Sequence, residues 1–165
     1  MKLYHYVPKG RDVSEKGLLS VSLIPGELLK YSKRAGNNHP KKIISWLEAT
    51  FPGRSRAISV LTEPIKWQGN DPMLKEWSEK NELIQIDFDA LLDDGLIESV
   101  WVKLGSKADG TNEKIALICP DEIDFSPLPW HLCSHKKGLF FGVIRHYFLV
   151  MKEGVIPSKY LTRLG

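Results

Sequence analysis

The chain has 165 residues, of which 42% are hydrophobic and 26% charged, a balance that is typical of folded domains and excludes an extensively disordered protein. Its net charge of +3 is mild, so the charge permits an anionic ligand without demonstrating one. No apolar run reaches the roughly 20 residues that a bilayer-spanning helix needs. No apolar leader follows Met1 either, so we expect no membrane association, no signal peptide and a cytoplasmic location.

The first half of the chain is predicted to form one strand and then helices. The strand covers residues 2–7 and leads into a turn. Pro25 stands at a first helical position and predicts a helix near 26–35. Pro40 begins a second helix over 40–51, in which the apolar residues recur at helical spacing.

The second half is predicted to consist mainly of strands, with a short amphipathic helix beginning at Pro72. The predicted strands cover residues 57–62, 83–88, 98–104, 114–119 and 139–151, and the third and fourth of these form a hairpin. The sequence VIPSKYLTRL predicts a terminal strand or edge segment. This order favours an α+β fold over a doubly wound parallel sheet. We therefore predict one domain over 1–165, with an antiparallel β core in two packed or split sheets and the N-terminal helices on one side.

The two cysteines and the neighbouring histidines are predicted to have no disulfide or metal role. Cys119 and Cys133 are a weak disulfide framework, and we expect both thiols to be reduced. His131, Cys133 and His135 place three potential ligands at alternate positions of a single stretch. Zinc sites usually draw ligands from two separate elements, so a buried cysteine between loop histidines is the better interpretation and no metal is expected.

The sequence RSRAISVLTEP, residues 54–64, offers a candidate ligand-binding strand. Ser59 and Glu63 share one face of this strand, and Arg56 precedes them. Small hydroxyls beside an acid and guanidinium groups suit a ribose-phosphate ligand. The alternative is an edge strand whose polar face is simply solvated.

The N-terminal strand carries Tyr4, His5 and Tyr6 in sequence, where a strand that only packs would carry valine or isoleucine. Each of these side chains has an apolar body and a polar tip. One hypothesis is that His5 faces a nucleotide while the two tyrosines pack around it. The alternative is a core histidine satisfied by one hydrogen bond to its neighbours.

Three stretches together resemble the ADP-ribosyltransferase-like superfamily. LYHYVPKG…EKGLLS is similar to the first motif of the branch that holds RNA 2′-phosphotransferases and DNA-modifying ADP-ribosyltransferase toxins. ELIQIDFDALLDDG is similar to the central strand and turn of the family, and HYFLVMKEGVIPSKYL to its closing strand. The resemblance covers about a third of the chain, and the order of the three motifs carries most of its weight.

The resemblance implies a nucleotide site with NAD as the cofactor. It implies that His5 helps to hold the NAD ribose. Arg56 or Arg145 would then lie near the phosphates. The cofactor-binding candidates are His5, Tyr6, Arg56, Ser59, Thr62 and Arg145.

The chain differs from the family pattern at the position of the catalytic glutamate. Active members usually carry a glutamate on the closing strand, and this chain has Arg145 and His146 at the matching place. The catalytic candidates are therefore His146 and Glu63, the latter being the only acid that the sequence brings toward the same cleft.

Three functions remain open at this point. The first is an NAD-using ADP-ribosyl or related transferase with a macromolecular acceptor, either protein or nucleic acid. The second is a non-catalytic nucleotide- or protein-binding module of the same fold. The third is a nucleic-acid-directed modifier, a toxin or effector, which requires basic residues collected along one rim. An exposed Trp beside such a rim would favour this third function.

Overall fold

The computed structural model describes residues 1–64, 72–103, 112–115 and 147–165. In these residues the strands are β1 Lys2–Pro8, β2 Leu18–Leu19, β3 Ala57–Val60, β4 Asn81–Asp87, β5 Ile97–Lys103, β6 Asn112–Ile115, β7 Tyr147–Met151, β8 Val155–Ile156 and β9 Leu161–Arg163. The α-helices are α1 Val13–Lys16, α2 Ser32–Ala35, α3 Pro40–Thr50, α4 Pro72–Lys80 and α5 Phe88–Asp93. Short 3₁₀ turns cover Val21–Leu23, Leu28–Tyr31, Arg54–Arg56 and Ser158–Tyr160.

The strands form two main sheets and a small two-stranded pair. The first sheet has the order β1-β4-β9, the second has the order β3-β7-β5-β6, and β2 pairs with β8. All of these neighbours are antiparallel. The prediction of an α+β fold with antiparallel sheets is confirmed, and so is the pairing of β5 with the strand that follows it.

The two main sheets meet at a corner between β1 and the end of β3. Tyr4 and Leu61 exchange both backbone hydrogen bonds there, at 2.9 and 2.8 Å. Beyond this bridge, one face of each sheet contributes to a common hydrophobic core. The core members from the sheets include Leu3, Val7, Ile58, Val60, Ile84, Ile86, Val100, Tyr147, Leu149 and Met151. Burial of each such side chain stabilises the fold by about 1.5–3 kcal/mol, which is the main force holding the sheets together.

A second, smaller cluster covers the opposite face of the β3-β7-β5-β6 sheet. Phe51, at the end of α3, stacks on Trp101 with 4.8 Å between ring centroids and tilts against Phe148 at 5.5 Å. Gly53 follows with φ +88°, and a Cβ at this position would lie 2.4 Å from Val150 Cγ1. Glycine is required here because the turn needs a left-handed residue pressed against the sheet.

Two predicted elements differ from those observed in the N-terminal half. The predicted helix near 26–35 is a 3₁₀ turn over Leu28–Tyr31 followed by the four-residue α2, and neither contains a buried residue. An amphipathic face that finds no core to cover does not sustain a regular helix. The predicted strand 57–62 ends at Val60, because only Leu61 continues the pairing, with Tyr4, before Thr62 and Glu63 bend away.

The C-terminal segment forms two short strands, where the sequence predicts a single terminal strand or edge segment. Pro157, which has no N–H to donate to a ladder, precedes a 3₁₀ turn that separates β8 from β9. The described parts of the other predicted strands agree with β4, β5, β6 and β7, except that Phe88 begins α5. Residues 104, 116–119 and 139–146 of these predictions lie outside the described residues.

Candidate functional site

His5 lies at the corner where the two sheets separate. Its ring shares the inner face of β1 with Leu3 and Val7 because alternate strand residues point the same way. His5 Nδ1 lies 2.5 Å from the carbonyl oxygen of Ser59. In an antiparallel ladder, hydrogen-bonded residue pairs recur at every second position. Ser59 stands two residues before Leu61, so its carbonyl is the next acceptor on β3 that points toward β1. The imidazole therefore replaces the backbone bond that is lost where the strands part.

The hydrogen bond fixes which nitrogen of His5 carries the proton. A carbonyl oxygen only accepts, so Nδ1 donates and the lone pair of the neutral ring sits on Nε2. Burial lowers the pKa of His5 below its usual value, and the nearby Arg11 guanidinium lowers it further, although the bond to Ser59 opposes both effects. His5 is thus neutral near pH 7. Nε2 makes no hydrogen bond within the part of the chain that is described, and the ring is only half-buried.

Tyr6 projects from the opposite face of β1. Its ring lies 5.0 Å from that of Trp77 in α4, centroid to centroid. The hypothesis that both tyrosines pack around His5 is therefore wrong, because the alternation of the strand sends Tyr4 and Tyr6 to the other side of the sheet. The alternative interpretation of a core histidine with one hydrogen bond describes the Nδ1 side of the ring, and the Nε2 side is not engaged by any described residue.

Ser59 and Thr62 are both half-buried, and they relate to His5 differently. Ser59 contributes its backbone carbonyl to His5, while its side chain faces Phe148, its register partner on β7, on the other surface of the sheet. Thr62 lies in the bend after the bridge. Neither hydroxyl makes a hydrogen bond to a described residue. The structure brings the Ser59 backbone, but not the Ser59 hydroxyl, to the His5 ring.

Arg56 is engaged at the end of β7. Its Nη1 donates to the carbonyl oxygens of Met151 and Lys152, at 3.3 and 3.4 Å, and its Nη2 lies 2.7 Å from Glu98 Oε2. This guanidinium therefore ties the second sheet together. Its assignment to ligand phosphates stays a prediction.

The other predicted site residues are less informative. Glu63 is exposed and forms no ion pair with a described residue. Arg145 and His146 lie outside the described residues. The same is true of Cys119 and of the stretch from His131 to His135. Within the described ranges, no group of three His, Cys, Asp or Glu side chains could hold a metal ion.

A groove of about 290 Å³ opens one strand away from His5. His5, Ile84 and Arg163 are register partners in a row across β1, β4 and β9, so they share one face of the sheet. The groove runs between α1, the 3₁₀ turn Ser158–Tyr160 and the edge strand β9. It is lined by Val13, Ser14, Ile84, Ser158, Lys159, Leu161 and Arg163.

Glu82 is a candidate that the sequence analysis missed. It is only 7% exposed and shares the inner face of β4 with Ile84 and Ile86. Its Oε1 lies 3.3 Å from Arg163 Nη2 but receives no hydrogen bond from any described residue. The signal was present in NELIQID: a carboxylate occupies an inward position of an alternating strand, where burying a charge is costly.

The function of the site has to be inferred from this geometry, because the comparisons with known proteins gave no match. No protein-family model matches the chain, and neither a curated protein nor a solved structure is significantly similar to it. In the described ranges, no helix has the length and apolar character needed to cross a membrane.

Proposed function

We propose that this chain binds a nucleotide at the corner around His5, with NAD as the first candidate. One observation carries the proposal: a neutral, half-buried histidine is fixed through Nδ1 and presents an Nε2 lone pair that no described residue engages. Such an atom needs a donor, and a ribose hydroxyl is one, whereas an ionised phosphate is not. The ribose would therefore sit against His5 and the phosphates elsewhere.

Cations for the phosphates lie on two sides of this corner. Arg11 is close enough to lower the pKa of His5, and its Nη2 is 3.1 Å from Glu27. Arg163 and Lys159 line the groove on the other side of Ile84. A guanidinium forks onto two phosphate oxygens, so the arginines suit this role best. Each of these arginines has an acidic partner, but Arg11 and Arg163 lie beside the corner and the groove, whereas Arg56 is bonded to the end of β7. We therefore propose Arg11 and Arg163 ahead of Arg56.

The two antiparallel sheets that separate at His5 support the proposal of an ADP-ribosyltransferase-like fold. The second and third motifs of the resemblance are also in contact, since the Tyr160 hydroxyl donates to Asp94. Transfer chemistry requires more than binding. Cleavage of the nicotinamide–ribose bond builds positive charge on the ribose, and a carboxylate must lie where that charge develops.

The position of the acids favours weak transferase activity at most. Glu63 is exposed beyond the bend, and Glu82 is buried beside Arg163, two residues along β4 from the register partner of His5. We propose that the site binds a nucleotide first of all, and that any transfer reaction depends on the carboxylate of Glu63 or Glu82. The non-catalytic binding module is therefore the second candidate.

The variant His5→Asn tests nucleotide binding while keeping the hydrogen bond that the fold uses. The Asn amide reproduces the Nδ1–H donor toward Ser59 but has no atom at the Nε2 position. We expect NAD binding, measured by calorimetry, to weaken about tenfold while the protein remains folded, because one hydrogen bond contributes about 0.5–1.5 kcal/mol. His39→Asn, at the exposed N-cap of α3, is the matched control and should bind like the parent protein.

Nicotinamide release from NAD distinguishes the two candidate functions. A transferase would lose about two to three orders of magnitude in rate in Glu63→Gln or Glu82→Gln, since either change removes a carboxylate from the developing charge. A binding module would release no nicotinamide in any variant. The absence of NAD and ADP-ribose binding at millimolar concentration would overturn the nucleotide site itself.

A further inference from the structure

A second surface of the molecule carries a concentrated positive charge. Between residues 28 and 47 the sequence has five Lys and Arg residues and no Asp or Glu, although the whole chain carries only +3. All five side chains are exposed. They are Lys30, Lys33, Arg34, Lys41 and Lys42. They lie on the 3₁₀ turn Leu28–Tyr31, on α2 and on the first turn of α3, three elements that contact one another.

Aromatic rings are interleaved with these cations. Lys42 and Trp46 are four residues apart on α3 and hence neighbours on its surface. The Trp46 ring lies 6.3 Å from the Tyr31 ring, and Arg54 Cζ lies 6.0 Å from the Tyr31 centroid. Arg54 is held in place over the Phe148 ring at 4.5 Å. We call the Trp46 and Tyr31 rings, Arg54 and the five exposed cations together the basic–aromatic strip.

The acids nearest to the strip are already engaged. Glu27 accepts hydrogen bonds from Lys30 and Arg11, at 2.8 and 3.1 Å. Glu48 accepts from the Gly53 backbone N–H at 2.5 Å and from the Ser55 hydroxyl at 2.8 Å.

The remaining cations of this surface have no acidic partner among the described residues. They are Lys33, Arg34, Lys41 and Lys42, and none of them forms an ion pair with a residue in those ranges. Their charge is therefore available to an external anion.

We propose that the basic–aromatic strip binds single-stranded nucleic acid, with phosphates on the exposed cations and a base on the half-buried Trp46 and Tyr31 rings. Cations that follow a backbone, combined with aromatic stacking, are the two contributions that single-strand binding uses. The strip lies outside the His5 corner, so this proposal goes beyond nucleotide binding and does not depend on it.

The distribution of apolar side chains favours nucleic acid over an anionic membrane. A helix that lies in a membrane interface exposes an apolar face. The apolar residues Ile43 and Leu47 of α3 are buried inward, at 0% and 1% exposure, and its exposed positions include Lys41, Lys42 and Ser45. Leu29 is the one large apolar side chain exposed between residues 28 and 50, and a single such residue is normal on a protein surface.

The test measures the anisotropy of a fluorescein-labelled oligothymidylate as a function of salt, with the full chain. Lys41→Gln/Lys42→Gln should weaken binding by about tenfold and reduce the slope of log K against log salt by about 1.4, since each lost single-strand phosphate contact removes roughly 0.7. Lys75→Gln/Lys152→Gln changes the charge equally at exposed positions outside the strip and should leave both values unchanged. Trp46→Leu should weaken binding about tenfold with an unchanged slope, because stacking involves no counterion.

Three results would overturn the strip as a single-strand binding surface. The first is equal affinity of the two double-lysine variants for the oligonucleotide. The second is that the parent protein does not bind the oligonucleotide at low salt. The third is binding to phosphatidylserine vesicles without binding to the oligonucleotide, which would assign the surface to a membrane. If Trp46→Leu does not fold, the exposed lysine pair carries the test alone. His5→Asn should bind the oligonucleotide normally, so failure at the strip and failure at the nucleotide site are distinguishable.

Discussion

At the scale of single residues, the two ring nitrogens of His5 have different roles: one holds the fold together, and the other can accept a hydrogen bond from a ligand. Nδ1 closes the gap in the backbone ladder at Ser59, and Nε2 makes no hydrogen bond to a described residue. The structural role explains why the strand carries an imidazole instead of valine. The same bond determines the tautomer, so the chemistry of the second nitrogen follows from the way the sheets separate.

The environment of His5 also makes the stability of the protein depend on pH. Because the pKa of His5 is lowered in the folded state, the folded protein binds the His5 proton less readily than the unfolded chain does. The stability due to neutral His5 is complete above the unfolded pKa near 6.5 and is lost as the pH falls below it, by at most about 1.4 kcal/mol per pH unit. We expect the free energy of unfolding to fall between pH 7.5 and 5.5, and to fall less in His5→Asn.

Chemical denaturation at both pH values measures this difference. The lowered pKa of Glu27 affects a more acidic range, below its usual value of 4.5, and does not overlap this window. An identical pH dependence in His5→Asn and the parent would show that His5 is not the titrating group.

Residue-level patterns could be predicted only where neighbours along the chain decide them. Asp12 and Asp87 cap the helices that follow them, as acids at those positions commonly do, accepting from Glu15 N–H and Ala90 N–H respectively. The partner of His5 is 54 residues away and the partner of Arg56 is on β7. No local pattern contains such pairs, so the sequence identified the polar residues but could not assign Arg56 to a structural bond.

At the scale of elements, the predictions succeeded where an element buries a periodic face. α3 begins at Pro40 as expected and buries Ile43 and Leu47. The segment 28–35 has similar helix propensity but contains no fully buried residue, and it breaks into two short pieces. Propensity is local, whereas the core that stabilises a helix is assembled by the whole chain. The sequence therefore could not distinguish these two segments.

The turn between α3 and β3 provides a prediction about glycine. We expect Gly53→Ala to destabilise the fold by about 1–2 kcal/mol for the left-handed φ and by about 1–3 kcal/mol more for the clash with Val150. Gly36→Ala is the matched control, since Gly36 also has positive φ, +67°, but has no atom within 4 Å of the added Cβ. Urea denaturation measures both variants, and equal losses would show that Val150 moves aside without cost.

At the scale of the whole molecule, the two proposed surfaces are held by different parts of the fold. The His5 corner depends on β1, β3 and the groove beside β9, while the basic–aromatic strip lies on the helical segment 28–50 and Arg54. A nucleotide site and a nucleic-acid surface on one chain are the arrangement that a nucleic-acid-directed transferase would need. The order of strands and helices indicated the fold class. The sequence could not show which surfaces carry clustered charge, because that clustering depends on the three-dimensional arrangement.

The C-terminal segment pairs with the rest of the fold through β8 and β9, and it adds a side-chain contact that can be measured directly. The buried Tyr160 donates its hydroxyl proton to Asp94, 66 residues earlier, at the end of α5, and this bond raises the pKa of the Tyr160 hydroxyl. We expect Tyr160→Phe to lower the free energy of unfolding by about 1 kcal/mol, near the middle of the range for one hydrogen bond, because Asp94 is exposed to solvent. In a double-mutant cycle with Asp94→Asn, the coupling energy should be about 0.5 kcal/mol or more, as for residues in direct contact. Strictly additive losses would mean that the Tyr160 side chain is held by burial of its ring alone and that its hydroxyl gains no stability from Asp94.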